Sequence, residues 1–201
     1  MPNRFKQTVS TPAVLAAQKH YYGRAAVAGP APDRDPLTDD ERTFIAERDS
    51  FYLGTISESG WPYIQHRGGP KGFLRLLDAQ TLAFADLGGN RQLLSTGNLA
   101  TNDRVALFLM DYPRRERLKI LGHARVLDAK EHPELLPQVL PDGIAAEDVE
   151  RIFVIDVLSY DWNCSQHITP RYTAAEVETA VAPLRQRIAD LEQQLAASKI
   201  R

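Results

Sequence analysis

The run FYLGTISESGWPYIQHRGGPKGF, Phe51 to Phe73, decides the fold. FYLGTI is rich in β-branched and aromatic residues, SESG ending at Gly60 is a turn, and WPYIQHR is a second run of strand formers. The stretch therefore reads as an antiparallel hairpin. GGPKG cannot continue a strand, and beyond it FLRLLD and TLAFAD, joined around the turn DAQ, extend the same meander.

Further along, GGN interrupts the chain before RQLLSTGNLATN, where Leu93, Leu94 and Leu99 predict a short helix made imperfect by Gly97. RVALFLMDY and RLKILGHARVL predict two long strands joined by PRRE, acid-rich segments at about Lys130 to Leu140 and Ala145 to Glu150 predict helices, and IFVIDVLSYDW is a last strand. The links between the early strands are too short for parallel crossovers. Seven strand-like runs joined this way predict a mainly β fold, an antiparallel barrel with peripheral helices, since closure removes exposed edges.

Toward the N-terminus, TDDE at Thr38 is a capping box that predicts a helix from Asp39 to about Arg48. Before it, a helix around Pro12 to Tyr22 and the stretch AGPAPDRDP read as a surface arm. Toward the C-terminus, Val177, Val181, Leu184, Ile188, Leu191 and Leu195 form a heptad seam, with Pro183 predicted to break or restart its helix. That helix either pairs with a partner chain or packs on its own barrel. The expected divisions are an arm at 1–37, a barrel domain at 38–172 and a helix at 173–201.

With 201 residues, 43% hydrophobic and 25% charged, the chain can bury one core. A net charge of -2 argues against a nucleic-acid track but leaves room for one anionic group at a local basic cluster. The sequence has neither an apolar run of membrane-spanning length nor a signal-like apolar N-terminus, which predicts a cytoplasmic protein with no membrane partner. The single Cys164 rules out an internal disulfide and reads first as a small structural residue. His66, His123 and His167 are too scattered to imply a metal set. Hydrolase motifs are missing.

Four segments could carry chemistry. In QHRGGPKGF, Gln65 to Phe73, cations bracket a glycine loop whose N–H groups could face an anion, with an ordinary hairpin as the alternative. In DLGGNRQLLSTGN, Asp86 to Asn98, Asn90, Arg91 and Gln92 stand where a helix is expected to begin and suit a phosphate. In PRRERLK, period-2 alternation sets Arg115, Arg117 and Lys119 on one face and Arg114 on the other. In DWNCSQHITPR, Trp162, Gln166 and His167 could stack on or hydrogen-bond a planar ligand.

In order and spacing, these segments resemble the pyridoxamine 5'-phosphate oxidase-like family of FMN-binding split barrels, over about Phe44 to Arg171. The chain looks most similar to a less characterised branch with HRGGP and GNRQ signatures and a WNC…PR end. The resemblance implies a homodimer with FMN in clefts between the subunits. It implies that Gln65, His66, Arg67 and Gly68 lie near the ring and ribityl chain, that Asn90, Arg91 and Gln92 take the place of a phosphate-binding Arg/Lys pair, and that Arg117 falls where a glutamine often lies. Trp162 and Gln166 are expected to approach the flavin from the other subunit. QHRGGPK and NCSQHITPR replace the R-x-V-L-L-K-type strand and R-L-H-D-R-type segment of true pyridoxamine 5'-phosphate oxidases, so vitamin B6 oxidation is not implied.

The expected function is that of an FMN-dependent oxidoreductase acting on a small molecule, with no protein acid or base assigned as catalytic. The alternative is a non-catalytic flavin- or haem-binding protein of the same fold, serving as store, sensor or scavenger. A nucleic-acid-binding barrel built on Arg114, Arg115 and Arg117 is disfavoured by net acidity and the lack of an aromatic stacking stripe.

Overall fold

A computed structural model of the chain describes residues 3–162 and 166–198. Cys164 lies outside them. The core is one antiparallel sheet of seven strands: β1 (Ser50–Ile56), β2 (Pro62–Gly68), β3 (Arg75–Leu76), β4 (Thr81–Leu87), β5 (Arg104–Asp111), β6 (Glu116–Asp128) and β7 (Val149–Trp162), ordered β2-β1-β5-β6-β7-β4-β3. The predicted hairpin forms β1 and β2, with Leu53 opposite Gln65 and Tyr52 opposite His66. Alternation along β1, β5 and β6 sends Phe51, Leu53, Leu107, Leu109, Leu118 and Ile120 inward, all essentially buried. Phe51 stacks on Phe73 and meets Phe84 edge-on, and Phe84 stacks on Phe153, so aromatic rings fill the barrel.

β2 and β4 stand far apart in the sheet order, yet Arg67 on β2 reaches Asp86 on β4 at 2.5 Å. The sheet thus curls until its margins face one another, and side chains rather than a backbone ladder bridge the gap. One close approach fixes β6 against β7. A Cβ on Gly122, where the register shifts, would stand 2.6 Å from the Asp156 carbonyl oxygen.

The helices surround the barrel: α1 (Asn3–Val9), α2 (Pro12–Tyr22), α3 (Asp39–Ala46), α4 (Leu94–Leu99), α5 (Leu136–Val139) and α6 (Ala174–Ser198), with a 3-10 turn at Ala146–Asp148. The capping box at Thr38 forms as its spacing requires. Glu41 does more than cap: it is buried and also accepts the indole N–H of Trp162, tying α3 to the end of β7. Burial alone would raise the Glu41 pKa, but hydrogen bonds from Thr38, Trp162 and Tyr160 reverse the sign and hold it below the usual range. The same burial, with the negative Glu41 beside it, pushes the Tyr160 hydroxyl up to about 12.

Several expectations are corrected. The arm is not wholly a surface feature, because α1 buries Phe5 beneath Lys119. FLRLLD yields only the two-residue β3, and the segments after Lys130 yield only α5 and the 3-10 turn, with Glu150 already in β7. Pro at the start of α5 and the Pro141–Gly143 turn keep that region short. α6 runs unbroken through Pro183 and buries none of its residues on the barrel. Among the described residues, no helix is long and apolar enough to cross a membrane.

Candidate functional site

β2, the loop after β4, α4 and the start of β7 enclose a cavity of about 170 Å³. Gln65 and Arg67 enter from β2, where the alternation that leaves His66 outside turns both inward. Asn90, Arg91 and Gln92 enter from the loop and Arg151 from β7. Five residues singled out in two separate segments therefore line one cavity.

Local interactions hold this lining. Ser95 donates to the Gln65 side-chain carbonyl at 2.7 Å, and Asn98 donates to Thr55 at 2.9 Å, fastening α4 to β1 and β2. The Gln92 N–H donates to the Asn90 side chain at 3.1 Å, forming an Asx turn. The helix begins at Leu94, later than expected, because Arg91 and Leu93 adopt left-handed backbone with φ of 58° and 53°. Asn90 to Gln92 consequently form a loop in front of the helix rather than its first turn.

Charge accounting separates structural from available cations. Asp86, 7% exposed, accepts from Arg67 at 2.5 Å and from Arg151 at 2.9 Å, so one carboxylate serves two guanidinium groups. The Arg67 guanidinium lies over the Phe153 ring at 4.8 Å, and Arg151 also pairs with Glu150. Arg67, expected near a ligand, is thus committed to the barrel seam. Arg91 is exposed and makes no ion pair among the described residues, leaving its charge available to an anion.

The remaining sequence candidates lie elsewhere. Gly68 pairs with Ser50 at the end of β2. Two of the N–H groups in the glycine loop are spent within the protein, Gly69 donating to Asp49 and Gly72 to Arg48, both at 2.9 Å. Of the basic run, Arg114 pairs with Glu47 and Lys119 with Asp161, each at 2.7 Å, while Arg115 sits in the turn. Arg117 stands over the Phe108 ring, outside the cavity. Trp162 packs edge-on against Phe44 with its N–H given to Glu41, and Gln166 is exposed beyond β7. Sequence reasoning missed Asp86, Ser95 and Arg151. Their importance arises from strand pairing, since Asp86 and Arg151 are register partners across β4 and β7.

An antiparallel split barrel whose margins frame a cationic cavity defines the class. The chain belongs to the pyridoxamine 5'-phosphate oxidase family, whose model matches residues 37–147. No curated protein matches it. Among solved structures, it is similar to HupZ of Group A Streptococcus, with 14% identity, 68% of this chain and 99% of that one covered, and a TM-score of 0.49. It is also similar to a protein related to general stress protein 26 from Clostridium acetobutylicum, with 14% identity, coverage of 69% and 94%, and a TM-score of 0.48. A third likeness is to an FMN-binding protein from Syntrophomonas wolfei, with 14% identity, coverage of 61% and 83%, and a TM-score of 0.46.

Proposed function

We propose that the protein is an FMN-binding flavoprotein that acts as a homodimeric oxidoreductase on a small molecule. The observation that carries this reading is the convergence of Gln65, Asn90, Arg91 and Gln92 on a cavity whose lining holds three arginines against one aspartate. A dianionic phosphate suits that donor set, with Arg91 as the partner free to pair with it. Gln65, steadied by Ser95, and the side-chain amides of Asn90 and Gln92 offer neutral hydrogen bonds to a ribityl chain or ring edge. When bound, FMN supplies the hydride or electron chemistry. The protein binds and orients it, and a reductant and acceptor screen identifies its substrate.

A cavity of about 170 Å³ is smaller than the roughly 300 Å³ at which ligand pockets begin, so one chain accommodates the phosphate end and not the whole cofactor. A second copy supplies the remaining wall. The outer face of β2, β1 and β5 supports that pairing: it presents Ile64, 70% exposed, with Tyr52 and Ile56, and Trp61 at its edge. Arg117 shares that face through the β5–β6 register, so it can contribute only to a site built from two chains.

Titration with FMN, followed by flavin fluorescence quenching, tests the placement. Arg91→Ala removes a charge-assisted contact of about 1.5–3 kcal/mol and should weaken binding roughly 10- to 100-fold. Arg34→Ala, on the exposed segment before α3, should leave affinity unchanged. Equal affinities in the two variants contradict the reading.

A further inference from the structure

α6 is a helix of 25 residues with no buried residue, yet one of its sides is apolar from Val177 to Leu195. Leu184, Ile188 and Leu195 are each more than half exposed. The start of α6 shows which side meets the barrel: Ala175, Glu176, Thr179 and Ala180 line a cleft with Arg48, Asp111 and Tyr112. None of the apolar seam residues lines that cleft.

We propose that the seams of α6 from two copies of this chain associate in parallel as a two-stranded coiled coil. The alternating spacing of four and three assigns Val181, Ile188 and Leu195 to a positions and Val177, Leu184 and Leu191 to d positions. The central residues, Val181 and Ile188 at a with Leu184 and Leu191 at d, follow the β-branched and leucine pattern that favours two parallel strands, while the outermost Val177 and Leu195 do not. Charge agrees with this orientation. Arg187 falls at g and Glu192 at the following e, the two positions that face each other across a parallel pair. Neither makes an ion pair within its own chain among the described residues, whereas Arg185 is already bound to Glu178. In an antiparallel pair e meets e′ and g meets g′, which sets arginine on arginine and glutamate on glutamate. Pro183 falls at c, on the outer side, where its ring cannot obstruct the seam.

The seam is about 27 Å long at 1.5 Å per residue, short for an isolated coiled coil. The proposal therefore rests in part on the dimer reading above, since a barrel dimer raises the effective concentration of the two helices.

The test uses the full chain in a Cys164→Ser background, with single cysteines introduced on α6 and mild oxidation followed by denaturing electrophoresis. Leu191→Cys, at d, should form a covalent dimer in most of the protein, and Gln186→Cys, at the outer f position, should not. Arg187→Glu should lower the Leu191→Cys cross-link several-fold, and the exchange Arg187→Glu with Glu192→Arg should restore it. Cross-linking at Leu191→Cys no greater than at Gln186→Cys overturns the proposal, as does a charge exchange that fails to rescue. Light scattering separates the two readings. A dimeric chain without the cross-link removes the coiled coil and keeps the barrel dimer, and a monomeric chain without it removes both.

Discussion

Asp86→Asn probes the seam that closes the barrel. Its carboxylate is almost wholly buried, and its two oxygens hold Arg67 at 2.5 Å and Arg151 at 2.9 Å. Asparagine keeps the shape and removes the charge, leaving two guanidinium groups, with side chains 14% and 20% exposed, without their shared anion. Removing one partner of a buried ion pair costs about 3–5 kcal/mol. Both arginines retain some access to water, Arg151 keeps Glu150, and the amide oxygen still accepts one hydrogen bond, which lowers the expected loss to about 2–3 kcal/mol. For a chain of this size that corresponds to a fall of roughly 4–12 °C in Tm. Scanning calorimetry at neutral pH reads it directly, with Asp142→Asn, exposed in a turn, as the control. A Tm within about one degree of the control would refute the reasoning and return Arg67 to the pool of ligand-binding cations.

Glu41→Gln should destabilise the protein at neutral pH by about 1–2 kcal/mol, because the amide has no charge and only one oxygen to accept from both Thr38 and Trp162. Because the Glu41 pKa is lowered on folding, its contribution is full above the ordinary carboxylate range and is lost as the pH falls through the folded value. Urea unfolding should therefore show a difference between variant and wild type that narrows in acid, and a difference that does not change with pH would contradict the role of its charge. Gly122→Ala forces a Cβ toward the Asp156 carbonyl oxygen and the Ile155 side chain, at a cost of about 1–3 kcal/mol, while Gly89→Ala points into open space and should change stability by less than about 0.5 kcal/mol; equal denaturation midpoints would refute the close approach.

How legible the molecule was in its sequence depended on the range of the interaction involved. The β1–β2 hairpin was readable because its turn and its two runs are contiguous, and the Thr38 capping box because its partners are three residues apart. α6 was readable from its period, but its passage through Pro183 was not, because the sequence alone weighs that proline as a helix breaker. In the candidate site, Asn90 to Gln92 and Gln65 carried a local signature of donors beside glycines, and the structure brings them together. Arg67 carried the same signature, but its pairing with Asp86 was not legible, because Asp86 lies 19 residues away and meets it only when the sheet curls. Trp162 was equally opaque, since the acceptor of its N–H lies on α3, at the far end of the chain.

The visible absorption spectrum of the protein as purified from cells, with heat release and identification of whatever is released, tests the central claim most directly. The account predicts a yellow protein with the two absorption bands of an oxidised flavin, releasing FMN and bleaching reversibly under reductant. A colourless protein that also fails to take up added FMN would contradict it, leaving a family barrel whose cationic cavity serves some other anion.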